Sequence, residues 1–302
     1  MAESERLLLI ATPLLVRTPA FDRAAALAKA MSAALHIVAF DYVDGLAADG
    51  LANETAIEEM REGYLQCHRD WLEMQAGGIR HMGVEVTTEV VWVQRPFEEI
   101  LVHIREISPS MVIKDLKHES WLTRALFTSL DMRLLRDCPA PLHLVGQVQH
   151  GLPRRILAAV DPLHPADQFE HVNDTIIQAA ERLATQCDAQ LHLLFAFDLS
   201  YIVALDGGYG AAPSVMDEMY QTEGEAFAEL ADRYGVPKDR RHMITGNPAR
   251  VIESFMDEEG IDVVVMGTVH RSVKNRWMGS TTEQVAHHLH ASVLTINPET
   301  QT

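Results

Sequence analysis

The sequence predicts an α/β protein made of two tandem doubly wound domains, each a parallel sheet flanked by helices. Three observations carry that prediction. Short apolar runs of strand length alternate with longer stretches at helical spacing along the whole chain, the pattern of right-handed β-α-β crossovers. Several of those runs, VVVMG at 263–267 above all, are apolar without alternation, as strands buried on both faces are. The alternation also restarts past the middle of the chain at an offset of about 150 residues, which is the mark of an internal duplication.

In the first half, Arg6 to Leu14 reads as a buried strand ending at Thr12-Pro13, and Ala-rich Phe21 to Leu35 as a helix packed on it. A second strand follows over His36 to Val43. Asn53 to about Gln75 is a long helix opened by the capping residues Asn53, Glu54 and Thr55. Val84 to Trp92 is the third strand, and Pro96 to Ile107 is a helix with proline in its first turn. Met111 to Leu116, Ser129 to Asp137 and Pro141 to Val145 complete the half as strand, helix and strand. Gly146 to Pro153 reads as a linker, which sets domains at 1–147 and 148–302.

The second half restates these elements. Arg155 to Pro165 repeats the first strand, with Asp161-Pro162-Leu163 where Thr12-Pro13-Leu14 stood. Gln190 to Ser200 repeats the second, a helix covers about Ser214 to Tyr234, and His242 to Gly260 matches the third strand and its Pro-started helix through Pro248. Ile261 to Gly267 then repeats the fourth strand and HASVLTIN the fifth. With strand order 3-2-1-4-5, the ligand crevice of a doubly wound sheet lies between strands 1 and 4. In the second half those strands end at Asp161 and Gly267.

The 302 residues suffice for two domain-sized cores. A net charge of −18 disfavours nucleic acid and anionic membrane surfaces as partners. Three cysteines without a CxxC pair argue against a disulfide framework. The acidic start, with a short apolar run broken by Pro13, is unlike a signal peptide, and no run reaches membrane-spanning length. A cytoplasmic protein is the expectation.

The stretch with most chemical content is Ile261 to Gln284. Gly267 ends a strand, a loop carries His270 and the cations Arg271, Lys274 and Arg276, and Gly279-Ser280-Thr281 opens a helix. Small residues that let backbone N–H groups approach, together with a helix N-terminus, suit a phosphate. The plainer reading is a surface loop with a good N-cap.

These residues, with V-D at the first crossover, GNPARVI after the third strand and G-S before TEQV, resemble the universal stress protein family. The twofold repeat with a degenerate first copy is similar to its tandem E-type bacterial members. The family's nucleotide-binding pattern is G-x2-G-x9-G-[ST]. This chain supplies Gly267, His270 in place of the second glycine, and eight residues instead of nine before Gly279-Ser280. The resemblance implies five-stranded parallel sheets of order 3-2-1-4-5, packed as an intramolecular pseudo-dimer through their final strands, with a further homodimer possible. It implies ATP or another adenine nucleotide, with Mg, in the second half: Asp161 on the ribose or adenine side, and Gly267, Gly279, Ser280 and Thr281 around the phosphates. An imidazole at His270 can still donate to a phosphate. In the first half Asp115 replaces Gly267, Phe127-Thr128 replace Gly279-Ser280 and Thr12 replaces the acid, so no nucleotide is expected there.

Function is then that of a stress-response binding or regulatory protein, not an efficient enzyme. One alternative is an apolar or lipid-like ligand beside the helix Ser214 to Tyr234, with Met216, Met219, Met256, Phe197, Tyr220 and Phe227 as lining; such residues at helical spacing are more often core. Another is a weak ATPase using Asp161 and His270. No nucleophile elbow, HExxH or Walker P-loop can be assembled. Metal candidates are weak: Asp115 with His118, and His287, His288 and His290 at a helix end.

Overall fold

Asp262 is the one charge inside the apolar stretch that ends at Gly267, and its carboxylate accepts from the backbone N–H groups of Arg154 (2.7 Å) and Arg155 (3.0 Å). A half-buried charge at the start of two adjacent strands is thereby satisfied by main chain. The computed structural model describes residues 5–46, 54–116, 130–146, 150–162, 171–198, 213–268, 281–288 and 291–297. The chain divides into two units at Leu152/Pro153.

The first unit holds β1 (Arg6–Ala11), α1 (Pro19–Met31), β2 (Ala34–Asp41), α2 (Glu54–Arg80), β3 (Val86–Trp92), α3 (Pro96–Ile107), β4 (Met111–Asp115), α4 (Leu130–Asp137) and β5 (Leu142–Val145). Its strands are parallel in the order β3-β2-β1-β4-β5. The second unit holds β6 (Arg155–Val160), α5 (Val172–Cys187), β7 (Gln190–Phe197), α6 (Pro213–Arg233), β8 (Arg241–Thr245), α7 (Pro248–Glu259), β9 (Val263–Gly267), α8 (Thr281–His288) and β10 (Ser292–Ile296). Its strands are parallel in the order β8-β7-β6-β9-β10.

Each central strand is sealed on both faces. Leu7, Leu8 and Leu9 of β1 are fully buried, as are Val263, Val264 and Val265 of β9. One face of the second sheet packs Leu157, Leu194 and Val264 against Val251, Ile252, Phe255 and Met256 of α7. Each such side chain contributes roughly 1.5–3 kcal/mol of transfer free energy. Among the described residues, no helix is long and apolar enough to cross a membrane.

Two helix ends lie four or five residues from where the sequence reading places them. The helix expected to reach Leu35 stops at Met31, because Ser32 takes the left-handed conformation (φ 53°) and Ala33 N–H closes back on the Ala28 carbonyl. Ala34 and Leu35 then enter β2; alanine's helix propensity loses to this C-cap. In the other direction, α2 runs through Gly77 and Gly78 to Arg80. Leu72, Ala76 and Ile79 keep one buried face continuous across the glycines, so packing outweighs their propensity cost.

His192 of β7 and His242 of β8 lie side by side on the α7 face, with ring nitrogens 3.2 Å apart and the His242 ring 4.5 Å from that of Phe255. Burial lowers the pKa of both below 6.5, and for His192 the neighbouring His242 adds to the lowering. The unfolded chain therefore takes up protons that the folded chain resists. This stability contribution is present above the unfolded value near 6.5 and is lost as pH falls below it towards the folded values. His242→Gln should flatten the decline of the urea midpoint between pH 7 and about 5.5. An equally steep decline in the variant would exclude the pair as its source.

Candidate functional site

β6 and β9 are neighbours, with Ala158 opposite Val265, and β7 lies on the other side of β6. The chain leaves β6 towards β7 and β8, and returns to β9 and β10 on the opposite flank. The C-terminal ends of β6 and β9 are thus the point where strand order reverses, the place where such sheets hold ligands. Asp161 follows β6 directly, and Gly267 is the last residue of β9.

Gly267 has no side chain for a packing reason. A Cβ there would lie 3.1 Å from Val172 Cγ1 and 3.3 Å from Ile176 Cδ1, both on the first turns of α5. Its carbonyl accepts from the buried Thr282 hydroxyl at 2.9 Å. The first turn of α8, which begins at the half-buried Thr281, is thereby pinned to the end of β9. The next residue, Thr268, donates its N–H to the Ile296 carbonyl at 2.9 Å.

Asp161 is held by its backbone. Asn173 Oδ1 accepts from the Asp161 N–H at 3.0 Å, and Asn173 Nδ2 donates to the Asp161 carbonyl at 2.7 Å. Glu223 of α6 stands near enough that the charge of Asp161 adds to the effect of burial in raising its pKa. The crevice at the end of β6 is therefore lined by acceptors, a surface that suits hydroxyl donors better than phosphates.

The first unit is built differently at the same place. Asp115 ends β4 as Gly267 ends β9, and its carboxylate accepts from the Ala20 N–H at 3.1 Å and from the Thr18 hydroxyl. It thus takes up a backbone donor at the start of α1, where an anion would otherwise bind. Burial raises its pKa, while these two hydrogen bonds oppose the rise. Beside it Lys114 Nζ lies 2.6 Å from Asp131 Oδ1, with both side chains 7% exposed.

Of the residues singled out from the sequence, the structure brings Asp161, Gly267 and Thr281 to the ends of adjacent elements. His270, Gly279, Ser280, His118 and His290 lie outside the described residues. Of the weak metal candidates, Asp115 is described, and its oxygens accept from the Thr18 hydroxyl and the Ala20 N–H at the start of α1. The proposed apolar lining is divided between the two faces of the sheet: Phe227 of α6 packs on Phe195 and Tyr220 on Phe197, while Met256 lies in the cluster on the α7 face with Leu194. One cavity beside α6 cannot include Met256. Sequence reasoning missed Asn173, Thr282 and Glu223. An Asn in the first turn of the helix after V-D-P was the available signal for Asn173.

Comparison with known proteins agrees with the fold. The E-type universal stress protein of Escherichia coli K12 is 28% identical over 243 residues, which are 80% of this chain and 77% of the relative. That of Photorhabdus laumondii is 26% identical over 244 residues, 80% of this chain and 78% of the relative. Among solved structures, a functionally unknown protein of Pseudomonas aeruginosa PAO1 superposes with a TM-score of 0.72 at 21% identity, over 99% of this chain and 94% of that one. A universal stress protein of Archaeoglobus fulgidus superposes at 0.65 and 17% identity, over 96% of both chains. The family profile described as "Universal stress protein family" matches residues 7–146 and again 153–297. With both halves matched in this way, the chain belongs to the universal stress protein family.

Proposed function

We propose that this protein is a stress-response binding and regulatory protein that takes an adenine nucleotide, ATP with its Mg²⁺ in the first instance, in the crevice of its second unit. The observation that carries the proposal is the pairing at the strand-order reversal: an acid, Asp161, after β6, and a residue without a side chain, Gly267, at the end of β9 under the first turn of α8. Ribose hydroxyls meet acceptors at Asp161 and Glu223. The phosphate end meets the sequence that runs from Gly267 to the start of α8, including His270, Gly279, Ser280 and Thr281. The names of the relatives support the stress-response part of the reading.

The first unit supports an asymmetric reading. Asp115 presents a carboxylate where the second unit presents a bare Cα, and repels a phosphate while using the donor that would bind it. One nucleotide per chain is the expected stoichiometry. Calorimetric titration with ATP tests both statements. Asp161→Ala should weaken binding by about 10–100-fold, the worth of one or two hydrogen bonds to a charged acceptor. Equal affinity in wild type and variant, or no binding to either, would overturn the proposal.

A further inference from the structure

The two units differ in how the helix after the first strand begins. Both helices end alike, with Ser32 after α1 and Asp188 after α5 in the left-handed conformation at φ 53°. Aligned on those ends, Ile176 and Ile177 match Ala20 and Phe21, Ala180 matches Ala24, and Leu183 and Ala184 match Leu27 and Ala28. All ten are buried. α5 has 16 residues against 13 in α1, so it starts three residues earlier, by about one turn.

What stands in front of each helix explains the difference. In the first unit the Asp115 carboxylate binds the N–H of Ala20 and so caps α1 at its start. In the second unit the residue matching Ala20 is Ile176, and its Cδ1 would lie 3.3 Å from a Cβ on Gly267. With no side chain there, the additional turn, Val172 to Asp174, has room to form. That turn is tied on two sides. Asn173 brackets the Asp161 backbone with one donor and one acceptor. Asp174 accepts from the Tyr234 hydroxyl at 2.6 Å and from Arg233 Nη1 at 3.1 Å, at the end of α6.

We infer that Asn173 is the positioning residue for Asp161, and that the bare Cα of Gly267 is what allows it to act. The amide of Asn173 matches the peptide unit geometry of Asp161 on both its polar edges, so the backbone that carries the carboxylate is fixed from a helix and not from a loop. Its consequence for ligand binding rests on the nucleotide reading above; the positioning itself does not. The unit with the bare Cα thereby gains a fixed acid at the sheet crevice, and the unit with Asp115 has neither the turn nor the acid.

The experiment measures amide hydrogen exchange at Asp161 by NMR in the full chain, together with ATP affinity. In Asn173→Ala the Asp161 N–H should exchange about 5–10-fold faster, the worth of one lost hydrogen bond, with the melting temperature lowered by no more than about 2–4 °C. Gly267→Ala should reproduce the fast exchange, because its Cβ presses on Val172. Asn173→Asp retains the acceptor but sets an oxygen against the Asp161 carbonyl in place of the donor, so it should recover only part of the slow exchange. ATP affinity should fall about 10-fold in Asn173→Ala, through misplacement of the acid. Unchanged exchange in Asn173→Ala overturns the positioning role. Faster exchange with unchanged ATP affinity overturns the link to the ligand. If the wild type binds no ATP, the nucleotide reading falls, and the positioning role is decided by the exchange alone.

Discussion

Lys114→Met should lower the stability of the first unit by about 3–5 kcal/mol, the usual cost of removing one partner of a buried ion pair. Lys114 Nζ is 2.6 Å from Asp131 Oδ1 and 3.0 Å from the Asp115 carbonyl. The substitution takes the ammonium from a carboxylate that stays buried, and the Asp115 carbonyl loses its donor as well. Methionine itself fits the position, since Met266 is the matching and buried residue of the second unit. The double variant Lys114→Met, Asp131→Leu should therefore regain most of the loss. Trp71, Trp92 and Trp121 fall in the first unit and Trp277 alone in the second, so tryptophan fluorescence in urea reports mainly on the affected unit. A loss below about 1 kcal/mol would mean that the pair behaves as a solvent-screened one.

Gly267→Val should act on stability and binding together. The Cβ alone would approach Val172 and Ile176 more closely than most side chains in folded proteins do, and valine adds two methyl groups to it. Overpacking of this kind costs about 1–3 kcal/mol. The strain falls on the first turn of α5, which carries Asn173, and on the end of β9, which carries the proposed phosphate segment. ATP affinity is expected to drop at least about 10-fold, more than in Asn173→Ala, because both sides of the crevice shift. A variant that melts and binds like the wild type would show that Gly267 is neither a packing requirement nor part of a site.

Much of the fold was legible from pattern. Pro96 to Ile107 was read at the bounds the structure gives, because proline at the first turn marks its start and apolar residues spaced by three and four, Phe97, Ile100 and Ile104, run towards its end. The continuous run Val263 to Gly267 was read as a doubly buried strand, and every residue before the glycine is buried. Boundaries failed where local preference and packing disagree. Alanines 33 and 34 favour helix, yet Ser32 ends α1; Gly77 and Gly78 disfavour helix, yet the face of Leu72, Ala76 and Ile79 carries α2 past them.

The candidate site was legible in its residue types and not in its contacts. That an acid and a glycine close the first and fourth strands of the second repeat can be read by laying one half of the sequence on the other. The sequence alone determined the duplication, the alternation that makes a doubly wound sheet, and the exchange of Gly267 for Asp115 between the halves. Only the tertiary structure decided what that exchange does. A carboxylate at the end of β4 caps one helix, and a missing side chain at the end of β9 lets another begin a turn earlier, bringing Asn173 onto Asp161. Hydrophobic periodicity is written along the chain, residue after residue. Donor and acceptor pairs between segments 12 to 97 residues apart depend on how strands and helices are brought together, and no local pattern records them.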